Sequence, residues 1–149
     1  MSGKLRYKAF TLIEILLVVA LISIFAAITI VALNPAKNFA NTRNAQRSSD
    51  VREILSAVTQ YTSEQDHSID DFKTIIDCKS GAAIIGTTVG KEYVDLSVIL
   101  VDEYIIEIPM DPSVGTVANT GYTICTTSSG RIQVDAPNAE NGKTIVVKR

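Results

Sequence analysis

The chain has no tryptophan, one histidine and two cysteines among its 149 residues. With His67 alone, no histidine pair exists to build a catalytic dyad or share a zinc ion, and the serines have no base to activate them. Cys78 and Cys125 form no Cys-x-x-Cys, and no glycine-rich phosphate loop occurs. The sequence therefore predicts no enzyme and no metal centre, and His67, set among acids on a loop, reads as solvent-exposed. Basic charge is also short in the later part of the chain. From Glu64 onward thirteen acids face seven bases, so this region repels phosphate and nucleic acid is not expected as a direct partner. Lys143, Lys148 and Arg149 are its one basic end.

No acid precedes Glu14, whereas Lys4, Arg6 and Lys8 crowd the start of the chain. An apolar run follows, and between Phe10 and Leu33 Glu14 is the only ionisable residue. About two dozen residues at ~1.5 Å each are enough to cross a hydrocarbon core of about 30 Å. The bases before the run hold that end in the cytoplasm and send the remainder across. The run is longer than the core of a cleaved secretory signal, no Ala-x-Ala site accompanies it, and no cysteine before Cys78 could make it a lipoprotein signal. Glu14 is then a charge in an expensive place, since a carboxylate at the bilayer centre costs about 2.5–3.5 kcal/mol. One helical turn inside the run, it either snorkels to the headgroups or meets a partner.

The basic leader, the small Ala9 and the stretch Phe10-Thr11-Leu12-Ile13-Glu14 leading into an unbroken apolar run resemble the class III signal of type IV pilins and of the pseudopilins of type II secretion. The resemblance covers residues 4–33 and implies removal of residues 1–9 by a prepilin peptidase at Ala9–Phe10, with N-methylation of the new Phe10 amine. Family members usually have glycine before the cut; here it is alanine. The resemblance also supplies Glu14 with its partner, the N-terminal amine of a neighbouring subunit. It implies a structural subunit of a type IV pilus that serves adhesion, twitching motility or DNA uptake. Such a subunit waits as a single-pass protein of the cytoplasmic membrane, N-terminus inside, until the inner-membrane assembly machinery polymerises it with identical or related pilins into an extracellular filament. A type II secretion pseudopilin and a plain single-pass anchored domain are the alternatives.

Asn34-Pro35 follows the run, and proline removes a helical hydrogen bond. The favoured expectation is one long helix kinked at Pro35, its apolar half over residues 10–35 and an amphipathic half over residues 36–66; the alternative is a helix end, with Asn34 as cap and Pro35 in the first turn of a second helix. In that second half Ala40, Ala45, Val51, Ile54, Leu55, Val58 and Tyr61 recur at helical spacing, with Arg43, Arg47, Asp50, Arg52 and Glu53 opposite. Arg43 and Arg47 are candidates to meet acidic patches on neighbouring subunits. Residues 67–149 are expected to form an extracytoplasmic head. Residues 95–100 read as a helical turn capped by Asp95, and residues 122–127, 131–135 and 144–148 as strands of an antiparallel meander. The fold class is α+β and pilin-like, a long helix packed on a small antiparallel sheet.

Ile108-Pro109-Met110-Asp111-Pro112 resembles a Leu-Pro-x-Asp-Pro element of pseudopilins and some pilins; by itself it is a rigid turn. Asp102, Glu103, Glu107 and Asp111 read as a solvated acidic face, with calcium the other reading because major pseudopilins can bind it in this part of the head. Cys78 and Cys125, exported to an oxidising compartment, are either a disulfide, as many pilins carry, or two buried thiols.

Overall fold

The computed structural model describes residues 9–149, so Lys4, Arg6, Lys8 and most of the expected leader lie outside the described residues. The chain divides into two compact units, Met1–Asn38 and Phe39–Arg149. In the first, helix α1 (Leu12–Leu33) is long and apolar enough to cross a membrane, and none of its residues is buried. Its two hydroxyl side chains are satisfied locally. The Ser23 and Thr29 hydroxyls donate to the carbonyls of Val19 and Phe25, each at 2.8 Å, so neither exposes an unpaired donor to an apolar medium.

The expected single helix kinked at Pro35 is instead two helices with the break at Asn34. Pro35 has no N–H to continue the α1 ladder and crowds the residue before it out of the right-handed helical region. Asn34 takes a left-handed conformation (φ 41°, ψ 72°) that ends α1. Its Oδ1 and its carbonyl both accept the Lys37 N–H, at 3.3 and 3.1 Å, so the same residue caps helix α2 (Pro35–Thr62) and places Pro35 in the first turn.

In the second unit α2 lies over a five-stranded mixed sheet. The strands are β1 (Ala83–Ile85), β2 (Tyr93–Val94), β3 (Thr123–Thr126), β4 (Ile132–Asp135) and β5 (Val146–Lys148), in the order β2-β1-β3-β4-β5. The three C-terminal strands form the expected antiparallel meander. The sheet departs from the antiparallel expectation at its other edge, where β2 runs parallel to β1. The connection between them loops away, with Thr87 and Thr88 N–H donating to the Val117 and Ala118 carbonyls, and returns alongside β1. Ala83, Ile124, Val134 and Val147 face one another across four strands. Val51, Ile54, Leu55, Val58 and Tyr61 of α2 join the first three of these in one core.

Two local expectations shift. A short helix α3 (Ser97–Leu100) is present, but Leu96 is its cap residue; Asp95 Oδ1 instead accepts from the Ser97 N–H (2.9 Å) one step earlier. Ala45, placed on the apolar stripe by spacing, is exposed. The buried line on α2 is Ala40, Asn44, Arg47, Val51, Ile54, Val58 and Tyr61, a continuous helical seam whose upper third is polar.

Candidate functional site

Ala9 and Phe10 have no regular structure and are exposed, and α1 begins immediately after them. The sharp start has a local cause. Thr11 is extended (φ −85°, ψ 152°), its Oγ1 accepts the Glu14 N–H at 3.3 Å, and its own N–H donates to Glu14 Oε2 at 3.4 Å. This reciprocal capping box satisfies two donors that a helix start leaves unpaired. Glu14 is thus held on the first turn of an otherwise apolar helix, where a carboxylate also opposes the positive end of the helix dipole. Spacing alone carries the Thr-x-x-Glu signature of this cap, although the peptide motif drew attention to Phe10 and Glu14 and not to Thr11.

A second polar constellation lies inside the head. Arg47 is 1% exposed, and its Nε and Nη2 donate to Asp111 Oδ2 (2.7 Å) and Oδ1 (3.1 Å) in a two-pronged ion pair. Nη1 reaches Glu140 Oε2 at 2.8 Å, and Glu140 also takes a two-pronged contact from Arg43 at 2.7 and 2.5 Å. Asn44 closes the set, donating to the Glu140 carbonyl and accepting the Glu140 N–H, each at 2.9 Å. Arg47, a candidate to reach other subunits, is instead enclosed within its own head, whereas Arg43 pairs with Glu140 there and stays partly exposed. Hydrogen bonds from Arg43 and then Arg47 pull the Glu140 carboxyl down to about 2. Burial pushes the Asp111 carboxyl up, but Arg47 and the Ser113 and Val114 N–H groups outweigh it and hold it low. Beneath them Tyr122 Oη donates to Asp50 at 2.6 Å. Burial raises both of these groups.

This arrangement corrects the acidic-face reading at one position. Asp111 is 4% exposed and engaged, whereas Asp102, Glu103 and Glu107 are exposed. Among the described residues no group of three or more His, Cys, Asp and Glu side chains is placed to hold a metal ion. Asp111 also accepts the Ser113 and Val114 N–H groups at 2.8 and 3.2 Å, and its carbonyl accepts the Gly115 N–H at 2.9 Å, so the Asp-Pro element is a closed turn. A side chain at Gly115 would collide with the Asp111 backbone. His67 is not simply exposed. It stacks on Tyr61 at 4.2 Å, and its Nδ1 is shielded, 3.7 Å from Glu64 Oε2 and too far for a hydrogen bond. Cys78 and Cys125 are joined as a disulfide.

A membrane-length apolar helix that starts at a Thr/Glu cap just past a non-helical Ala-Phe junction, followed by a helix-on-sheet head, defines a pilin-like α+β protein. The family model for the prokaryotic N-terminal methylation motif matches residues 4–30. The chain therefore carries the class III signal of type IV pilins and pseudopilins. The match stops within α1 and does not reach the head. Neither the curated proteins nor the solved structures contain a match to the chain. The motif supports a pilin or pseudopilin, a structural subunit rather than an enzyme. It implies processing by prepilin peptidase and assembly into pilin polymers, and with the apolar helix it supports anchoring in a membrane.

Proposed function

We propose that this chain is a structural subunit of a type IV pilus, made as a prepilin and held in the cytoplasmic membrane by α1 with its N-terminus inside. Hydrolysis of the Ala9–Phe10 bond adds water across it, leaving a carboxylate on the leader and an amine on Phe10; the amine nitrogen then takes a methyl group from a sulfonium donor, which leaves as a thioether while the amine gives up a proton. Glu14 carries the reading. It is the sole ionisable residue between Phe10 and Leu33 and sits on the helix turn next to the new amine. In a filament core made of packed α1 helices, a carboxylate has no water to solvate it, and the amine of an adjoining subunit offers the opposite charge. Each subunit both gives and receives this contact, so the repeat does not close on itself and grows as a helical polymer. The heads form the wall, and the filament serves adhesion, twitching motility or DNA uptake.

The Ile108–Pro112 turn, which resembles an element of pseudopilins and of some pilins, keeps a second reading in play, a pseudopilin of a type II secretion system. Deleting the chain separates them: loss of surface filaments supports the pilus, and loss of protein export with no filaments at stake supports the pseudopilus. For the pairing itself, Glu14→Ala is expected to be cleaved normally and to enter filaments at least tenfold less well, read by the ratio of filament to membrane-bound subunit. An unchanged ratio would remove the role of Glu14. A leader retained in cells with active peptidase, seen by mass spectrometry of the N-terminus, would remove the pilin reading altogether.

A further inference from the structure

We propose that Thr11 is a positioning residue for leader removal: its hydroxyl, capping the backbone N–H of residue 14, keeps the Ala9–Phe10 peptide bond outside α1 and open to a peptidase. The proposal rests on the processing reading above. A protease takes its substrate as extended backbone, whereas a bond inside a helix has its carbonyl engaged and its approach covered by side chains. Here the first helical acceptor is the Thr11 carbonyl, which takes the N–H groups of Glu14 at 3.1 Å and Ile15 at 3.3 Å. Ala9 and Phe10 stay outside the ladder.

No helix-breaking residue stops the helix at this point, and Lys4, Arg6 and Lys8 oppose its extension only through the helix dipole. Residues 4–10 read Lys-Leu-Arg-Tyr-Lys-Ala-Phe, with no glycine or proline, and alanine is the strongest helix former of all. Extending a helix that has already nucleated is easy, because each further residue adds a hydrogen bond without a new nucleus. One more turn would direct the Ile13 N–H to the Ala9 carbonyl, the carbonyl that the peptidase must attack. Thr11 prevents this by offering the Glu14 N–H a side-chain acceptor and by holding its own backbone extended. The same cap uses Glu14 through one oxygen only, at 3.4 Å. Among the described residues Oε1 has no partner, so it stays available for the subunit contact.

The experiment uses the full chain co-expressed with a prepilin peptidase, and follows leader removal over time by mass. Thr11→Val keeps the shape and loses the acceptor. It is expected to slow cleavage about fivefold, the equilibrium factor that one lost N-cap is worth. Thr11→Asn replaces the residue by a strong cap of different shape and is expected to restore the rate. In detergent micelles the Ala9 and Phe10 amides should become helical and protected in the valine variant alone. Cleavage of Thr11→Val at the wild-type rate overturns the proposal. So does cleavage of Thr11→Asn as slow as that of valine, which would mean that the peptidase reads threonine itself. If the wild-type chain is not cut at all, the processing reading falls. The micelle comparison then still decides the positioning claim, which a helix start unchanged in Thr11→Val would refute.

Discussion

At the residue scale, Arg47 concentrates more of the head's polar bonding than any neighbour in its seam. Each of its five N–H donors is used, two on Asp111 and one each on Ser113, Asn44 and Glu140. A lysine has three donors and no planar fork, so the match to Asp111 belongs to arginine specifically. Removing one partner of a buried pair leaves the other charged, dehydrated and unpaired, which typically costs about 3–5 kcal/mol. Arg47→Ala is therefore expected to lower the head's unfolding free energy by roughly that amount in urea titrations of the detergent-solubilised chain, and Arg47→Lys by somewhat less. A change below ~1 kcal/mol in Arg47→Ala would show that the pair contributes little beyond what water could replace. No local pattern in the sequence announces this cluster. Arg47 and Asp111 are 64 positions apart, and a charged residue at helical spacing is ordinarily assigned to the wet face of a helix.

At the element scale, the parts legible in the sequence were those fixed by short-range physics. The apolar run became α1, the spacing from Val51 to Tyr61 became the buried face of α2, and turn residues between apolar stretches separated β3, β4 and β5. The parts that were not legible depended on distant partners. The seam of α2 continues upward through Asn44 and Arg47 because Glu140 and Asp111 wait there, and β2 pairs in parallel because the Thr87-Thr88 connection is tied to residues 117 and 118. The break at Asn34 lay between: proline signalled a disturbance, and whether it was a kink or a restart depended on asparagine's tolerance of the left-handed conformation. At the site, Phe10 and Glu14 stood out by motif, whereas Thr11 was readable only as a cap. The disulfide is the other long-range tie. It fastens the segment before β1 to β3 across 47 positions, beside a bridge in which the Cys78 N–H donates to the Thr126 carbonyl at 2.8 Å. Closing a loop of that length stabilises by up to about 4 kcal/mol, chiefly through the unfolded chain. The Cys78→Ser/Cys125→Ser double variant is expected to keep its far-ultraviolet circular dichroism and lose roughly 2–4 kcal/mol of stability. Reducing agent should produce the same loss in the native protein and none in the variant.

At the scale of the whole molecule, the division into Met1–Asn38 and Phe39–Arg149 separates two solvents. The first unit holds a helix with no buried residue, and among the described residues the hydrophobic core lies in the second. A chain starting at Phe39 should therefore fold by itself in water, without detergent, and its acid stability then tests the clamp on α2. Glu140 is held down to about 2 from an ordinary 4.5, and Asp111 is held low as well. A carboxyl whose folded value is depressed binds protons more readily in the unfolded chain, so its stabilisation is complete above its unfolded value and is lost as pH falls through its folded one. For Glu140 that window runs from about 4.5 to about 2. Asp50 acts in the opposite sense, since burial raises it and its contribution to stability grows as pH falls. The melting temperature of the head should accordingly hold from neutrality to about pH 4.5 and then fall steeply towards pH 2. Glu140→Gln, less stable at pH 7, should show a shallower fall and approach the parent near pH 2. Parallel curves for the two proteins across that range would mean that the Arg43 and Arg47 contacts to Glu140 do not set the acid limit of the head.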